Sequence, residues 1–119
     1  MKMLHVTIMT TKFEEELQFY MEIVGLNVIR AIDEPGHKIR FLADKKGDTQ
    51  IEIVENPNAK PMESDFLLVG FETEDALKKS NELKAQGYKV SEMIQPNPKA
   101  QFFTVKDPAG VTVQFVQED

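Results

Sequence analysis

Apolar and polar residues alternate at the start of the chain. Leu4, Val6 and Ile8 take one parity and His5, Thr7 and Met9 the other, which is the period of a strand with two unlike faces. The period then changes. Phe13, Leu17, Tyr20 and Val24 recur at helical spacing, Thr11 and Glu14 predict a capping box at the helix start, and Gly25 predicts its end. Strands are predicted at 26–33, 37–43 and 49–55, separated by Pro35-Gly36 and by Lys45-Lys46-Gly47-Asp48. In the last strand Ile51 and Ile53 point one way, onto the helix, and Gln50 and Glu52 the other.

The same succession then recurs. A polar link leads to a strand near 65–72, a helix from Thr73 to about Ala85, a closing Gly87, and strands near 88–95, 100–106 and 111–117. Asp107-Pro108-Ala109-Gly110 has the composition of a type I turn. Laid over each other without a gap, residues 25–55 and 87–117 keep step: Gly25 falls on Gly87, Val28 on Val90, Ile32 on Ile94 and Phe41 on Phe103. Ile51, Ile53 and Val54 fall on Val113, Phe115 and Val116, so Glu52 meets Gln114. The expected architecture is α+β. It is one domain of two tandem βαβββ modules, about 1–55 and 65–119 with a linker at 56–64, forming a curved, cup-like mixed sheet with helices on its outer face. The polar parity would line the cup with His5, Thr7, Gln50, Glu52, Thr112 and Gln114.

Composition narrows the function without naming it. At 119 residues the chain suits one domain with a real core, whereas each half alone is marginal. The two halves are therefore expected to share a core or to pair with a second chain. Fourteen basic against 20 acidic residues give a net charge of -6, which repels phosphate backbones and argues against nucleic acid. No apolar run is long enough to cross a bilayer, and no basic-then-apolar signal segment opens the chain, so a cytoplasmic protein is expected. The absence of cysteine removes disulfides, thiolate metal sites and thiol nucleophiles together.

His5-Val6-Thr7, Leu17-Gln18-Phe19-Tyr20 with Val24-Gly25-Leu26, and Phe103 through Asp107-Pro108-Ala109-Gly110 to Val113-Gln114-Phe115 carry a resemblance to a known family. Over essentially its whole length the chain resembles the vicinal oxygen chelate superfamily, which includes glyoxalase I, bleomycin-resistance proteins, extradiol dioxygenases and fosfomycin-resistance enzymes. Metal enzymes of that superfamily place a ligand on the first and last strand of each module. The resemblance therefore implies His5, Glu52 and Gln114 as metal-site positions. The fourth position falls on Leu67 in strict repeat register and on Leu68 if the helix is one residue shorter, so a leucine replaces a ligand in either case. Dioxygenase and fosfomycin-resistance chemistry, which need two histidines and a glutamate, are disfavoured: the other histidine, His37, lies beside the Pro-Gly turn.

Two functions follow. The first is binding of a small organic molecule without metal-dependent turnover, as in the bleomycin-resistance branch, with His5, Thr7, Gln50, Glu52, Leu68, Thr112 and Gln114 as the pocket and no cofactor. The second is a divalent-metal lyase or isomerase resembling glyoxalase I, with a weakly held Ni, Zn, Mn or Fe ion at His5, Glu52 and Gln114 and Glu52 as the catalytic carboxylate. A homodimer with pockets near the subunit interface is implied by the same resemblance. Plainer readings stand beside these. His5 and Glu52 can simply satisfy each other as a pair. Phe66, Phe102 and Phe103 read most simply as core, and at least one of Phe102 and Phe103 must face the helices. Arg30 and Arg40 could meet an anion if either lies on the concave face, though a surface role is the simpler reading.

Overall fold

Two four-stranded sheets are present in the computed structural model, which describes all 119 residues. They belong to two compact units, Met1–Met62 and Glu63–Asp119. In the first unit the strands are β1 (His5–Thr10), β2 (Asn27–Glu34), β3 (His37–Ala43) and β4 (Gln50–Glu55), in the spatial order β1-β4-β3-β2. In the second they are β5 (Leu68–Glu72), β6 (Ile94–Asn97), β7 (Ala100–Lys106) and β8 (Thr112–Glu118), in the order β5-β8-β7-β6. In each sheet the first strand runs parallel to the last and the other pairings are antiparallel. This is the α+β, doubled βαβββ arrangement expected from the sequence.

The first helix departs from the expected cap. Thr11 makes no cap; Lys12 is the N-cap residue of α1 (Phe13–Gln18) and contributes no side-chain bond. Thr10 takes part instead, its hydroxyl accepting from the Lys12 N–H at 2.9 Å. The helix continues as a π-helical turn over Phe19–Val24 and stops at Gly25, whose φ of 86° suits a residue without a Cβ. That wider turn shifts the apolar stripe. The buried side chains are Phe13, Glu16, Phe19, Tyr20 and Ile23, while Leu17 and Val24 are only partly covered.

The second helix, α2 (Ala76–Ala85), starts later than Thr73 because the Thr73 N–H is still bonded to the Val116 carbonyl of β8. Asp75 caps it, accepting from the Lys78 N–H at 3.0 Å. The expected turn after β7 is present: Gly110 N–H donates to the Asp107 carbonyl, and one Asp107 carboxylate oxygen accepts from Ala109 and Val111 N–H at 2.9 Å each. Before β6, only Val90 makes a bridge, to Val105, so the expected strand at 88–95 is shortened to its end and extended to Asn97.

α1 packs on β4, and α2 on β7 and β8. Ile51 and Ile53 are buried on the helix side of the first sheet, Val113 and Phe115 on that of the second. Phe103 is also fully buried, its ring stacked on Phe115 at 5.4 Å. Phe66 contradicts its reading as core, being 95% exposed in the segment that precedes β5.

Candidate functional site

The face of the first sheet opposite its helix carries the candidate residues of that module. β1 pairs with β4 so that His5 lies beside Gln50 and Thr7 beside Glu52. The carboxylate of Glu52, 14% exposed, gathers both neighbours: its Oε1 accepts from the Thr7 hydroxyl at 2.5 Å and sits 3.4 Å from His5 Nε2. The next strand adds Phe41 directly opposite Glu52, and β2 places Arg30 directly opposite Phe41. Thr7, Glu52, Phe41 and Arg30 thus form one row across all four strands, on one face because directly opposed residues share a face.

The Phe41 ring lies between His5, which precedes that row's Thr7 on β1, and Arg30. His5 meets it edge-on at 5.9 Å between centroids, and the Arg30 guanidinium lies 4.2 Å from its centroid, within cation–π range. A groove of about 530 Å³ runs beside these residues, and His5, Arg30, Phe41, Gln50 and Glu52 line it. That volume lies within the range of small-molecule sites. Arg40 is elsewhere. It lies opposite Ile53 on the helix side, 5.7 Å from the Phe13 ring, and its guanidinium is paired with both carboxylate oxygens of Asp33 at 3.0 and 3.2 Å. His37 lines a different groove, with Asp33, Glu34 and Glu55.

In the second sheet Leu68 lies beside Thr112 and Gly70 beside Gln114. Leu68 therefore occupies the place of His5, and Leu67, which precedes the strand, does not. Gly70 takes the place of Thr7, a substitution the sequence reading missed. Its consequence is steric: a Cβ at Gly70 would come within 3.0 Å of Gln114 Oε1, so the Gln114 amide lies down across the glycine. Thr112 is buried, and its hydroxyl has no hydrogen-bond partner.

The gapless overlay of the two modules fails at the third strand. Phe41 lies opposite Glu52, but it is Thr104 that lies opposite Gln114, while Phe103 lies opposite Phe115. Phe41 therefore corresponds to Thr104 and not to Phe103, and Arg40, opposite Ile53, corresponds to Phe103 and not to Phe102. The cause is the hairpin between the last two strands, which spans one residue more at 44–49 than at 107–111. A one-residue slip exchanges the faces of a strand. It sends Phe41 to the face opposite the helix and its sequence counterpart Phe103 to the helix side, with both rings buried.

A doubled βαβββ chain with a histidine–glutamate pair on the polar face of its first sheet defines the class. A family model described as Glyoxalase/Bleomycin resistance protein/Dioxygenase superfamily matches residues 2–115, and the chain belongs to that family. It is 23% identical to the lactoylglutathione lyase of Neisseria meningitidis serogroup A, in an alignment covering 99% of this chain and 91% of that protein. Among solved structures it is similar to the trypanothione-dependent glyoxalase I of Leishmania major, with a TM-score of 0.85 at 19% identity over 99% of this chain and 87% of that one. It is also similar to TnmS3, an antibiotic-binding protein from Streptomyces sp. CB03234, with a TM-score of 0.76 at 20% identity over 100% and 97% of the two chains. At these identities the two structures establish the fold.

The donor set does not fit the divalent ion known from metal enzymes of this family. Such ions take several nitrogen or oxygen ligands, of which most are charged or imidazole groups in protein sites. No group of three histidine, aspartate or glutamate side chains is assembled anywhere in the chain. The second module offers an aliphatic side chain, a glycine and an amide where the first has His5, Thr7 and Glu52.

Proposed function

We propose that the protein binds a small organic molecule on the polar face of its first module, without metal-dependent turnover. One observation carries this reading: Glu52 Oε1 accepts from the Thr7 hydroxyl and lies 3.4 Å from His5 Nε2 at the wall of a groove of about 530 Å³, whose other polar side chains include Gln50, Asp48 and Arg30. A carboxylate so held has a fixed orientation and keeps capacity to accept a hydrogen bond from a ligand. His5, Thr7, Gln50 and Glu52 are the polar contacts of that site. Leu68, Thr112 and Gln114 are the corresponding positions of the second module and are proposed to contact ligand at their own sheet. The antibiotic-binding TnmS3 is a structural relative whose described activity agrees with this reading.

The similarity to lactoylglutathione lyase favours a second reading, a divalent-metal lyase or isomerase that uses His5 and Glu52. Elemental analysis separates the two. The protein and its Glu52→Ala variant are incubated with Ni, Zn, Mn or Fe(II), desalted and measured. Binding without metal predicts background metal in both, together with a ligand-induced rise in melting temperature that Glu52→Ala reduces. About one ion per chain, lost in the variant, would establish the metal reading instead.

We also propose that the chain forms a homodimer. β1 and β5 are edge strands, and Leu4 and Met9 of the first unit and Phe66 and Leu67 of the second are exposed on or beside them. Light scattering on a size-exclusion column tests this directly. No helix is long and apolar enough to cross a membrane.

A further inference from the structure

Among the cations of the first unit that lie over an aromatic ring, Arg30 makes the shortest approach, 4.2 Å from the Phe41 centroid against 5.0 and 5.7 Å from Phe13 for Lys38 and Arg40. The other two basic side chains contributed by its central hairpin are each committed to a carboxylate: Arg40 to Asp33, and Lys38 to Glu14 at 2.7 Å. The contact that Arg30 makes is with the face of Phe41, at 4.2 Å, beside the groove. Ring stacking holds a guanidinium by its flat face and leaves its edge of N–H donors for a carboxylate or phosphate fork. At the far side of the same ring, two strands away, Glu52 offers a carboxylate that Thr7 and His5 hold in place. Lys2 and Asp48 also line the groove, and along the Glu52–Phe41–Arg30 row itself there is a donor end at Arg30 and an acceptor end at Glu52.

We infer that this row reads a two-ended organic acid: the anionic group pairs with Arg30, and a hydrogen-bond donor such as an ammonium, hydroxyl or amide N–H meets Glu52. This rests on the groove being the ligand site proposed above, and it adds the ligand's chemical class. Length follows from sheet geometry. Two strand spacings separate the backbones of Arg30 and Glu52, about 10 Å, and both side chains reach inward from there. The ligand is thus a compact molecule whose anion and donor are a ring's width apart, spanning the place where the largely buried Phe41 ring borders the groove.

The test uses matched probes and backbone amide NMR of the full-length protein. 4-(Aminomethyl)benzoate supplies both ends; 4-(aminomethyl)benzamide keeps size, shape and ammonium but lacks the anion. The acid is expected to perturb the amides of Arg30, Phe41 and Glu52 and to bind roughly tenfold more tightly than the amide, the margin of a charge-assisted fork. Arg30→Leu is expected to abolish that margin, and Arg30→Lys, which keeps the charge and loses the fork, to retain part of it. Equal affinity for acid and amide in the unaltered protein, or a margin that survives Arg30→Leu, overturns the inference while leaving ligand binding in the groove intact. Absence of any perturbation by both probes at these residues overturns the inference and the binding reading together. The comparison in unaltered protein decides the matter even if a variant folds poorly.

Discussion

Gly70→Ala isolates what the second module has done with its polar face. Gly70 has no left-handed backbone conformation to protect, so alanine is compatible with its place in β5. Replacing such a glycine removes unfolded-state freedom and stabilises by about 0.4–1 kcal/mol. Against that stands the new methyl, 3.0 Å from Gln114 Oε1. The obstacle is the free end of a flexible side chain, so Gln114 moves aside by a few tenths of an ångström or changes rotamer, at a cost of about 0.5–1.5 kcal/mol. The two terms nearly cancel. Net stability should stay within about 1 kcal/mol of the parent, a shift of no more than about 4 °C in a domain of this size.

The side chain, by contrast, must move. Urea unfolding measures the first quantity, and the side-chain NH₂ signals of Gln114 in ¹⁵N-labelled protein report the second. The expected result is an almost unchanged unfolding midpoint with a clear shift of the Gln114 pair. A loss of 2 kcal/mol or more would mean that the Cβ meets backbone and that the amide does not lie over Gly70. Unmoved Gln114 signals would refute the same geometry from the other side.

Phe103→Ala should cost about 3–5 kcal/mol in chemical unfolding, because a fully buried ring stacked on Phe115 leaves a cavity that the sheet cannot close. Asp107→Ala should cost about 1–3 kcal/mol, since it strands the buried N–H groups of Ala109 and Val111; Asp107→Asn, which keeps one acceptor oxygen, should recover most of that. The hydrogen bond to Glu14 raises the pKa of Lys38 in the folded protein. Its contribution is therefore complete below the ordinary lysine value of 10.5 and is lost as pH rises through the higher folded value. The urea-midpoint difference between the parent and Lys38→Met should be full at pH 9 and shrink as pH rises above 10.5; a difference that does not shrink would contradict the assignment.

Much of this fold is legible because its boundaries are chemical. Gly25 and Gly87 adopt φ of 86° and 92° where the sequence placed helix ends, and Asp107 through Gly110 folds the turn its composition specifies. The alternation in β4 and β8 is equally clear, since Ile51, Ile53, Val113 and Phe115 are apolar on a single parity and buried. The third strand of each module lacked that clarity. His37-Lys38-Ile39-Arg40-Phe41-Leu42-Ala43 has large apolar residues on both parities, so its hydrophobic pattern does not select a face. Register there is set by the length of the following hairpin, and a gapless overlay conceals a hairpin longer by one residue. Gly70 was missed for a different reason: its significance comes from Gln114 on the neighbouring strand, a contact 44 positions away in the chain that no local pattern carries.

That single-residue slip accounts for the difference between the two modules better than any one substitution does. Had Phe41 followed Phe103 onto the helix side, the residue opposite Glu52 would have been Leu42, and no aromatic face would stand between His5 and Arg30. With the slip, the first module places an aromatic ring on its polar face and puts Arg40 under α1, where Asp33 and the Phe13 ring offset the charge. The second keeps Phe103 for packing, and the place opposite Gln114 goes to the small side chain of Thr104. The first module accordingly carries a largely buried aromatic ring beside its groove, where the second has a threonine at the equivalent place. If the groove of the first module is the ligand site proposed above, only that half needs to be electrostatically specific. On that division, Phe41→Leu should weaken ligand binding in the groove far more than Thr104→Leu, although both changes fall at equivalent positions in the fold.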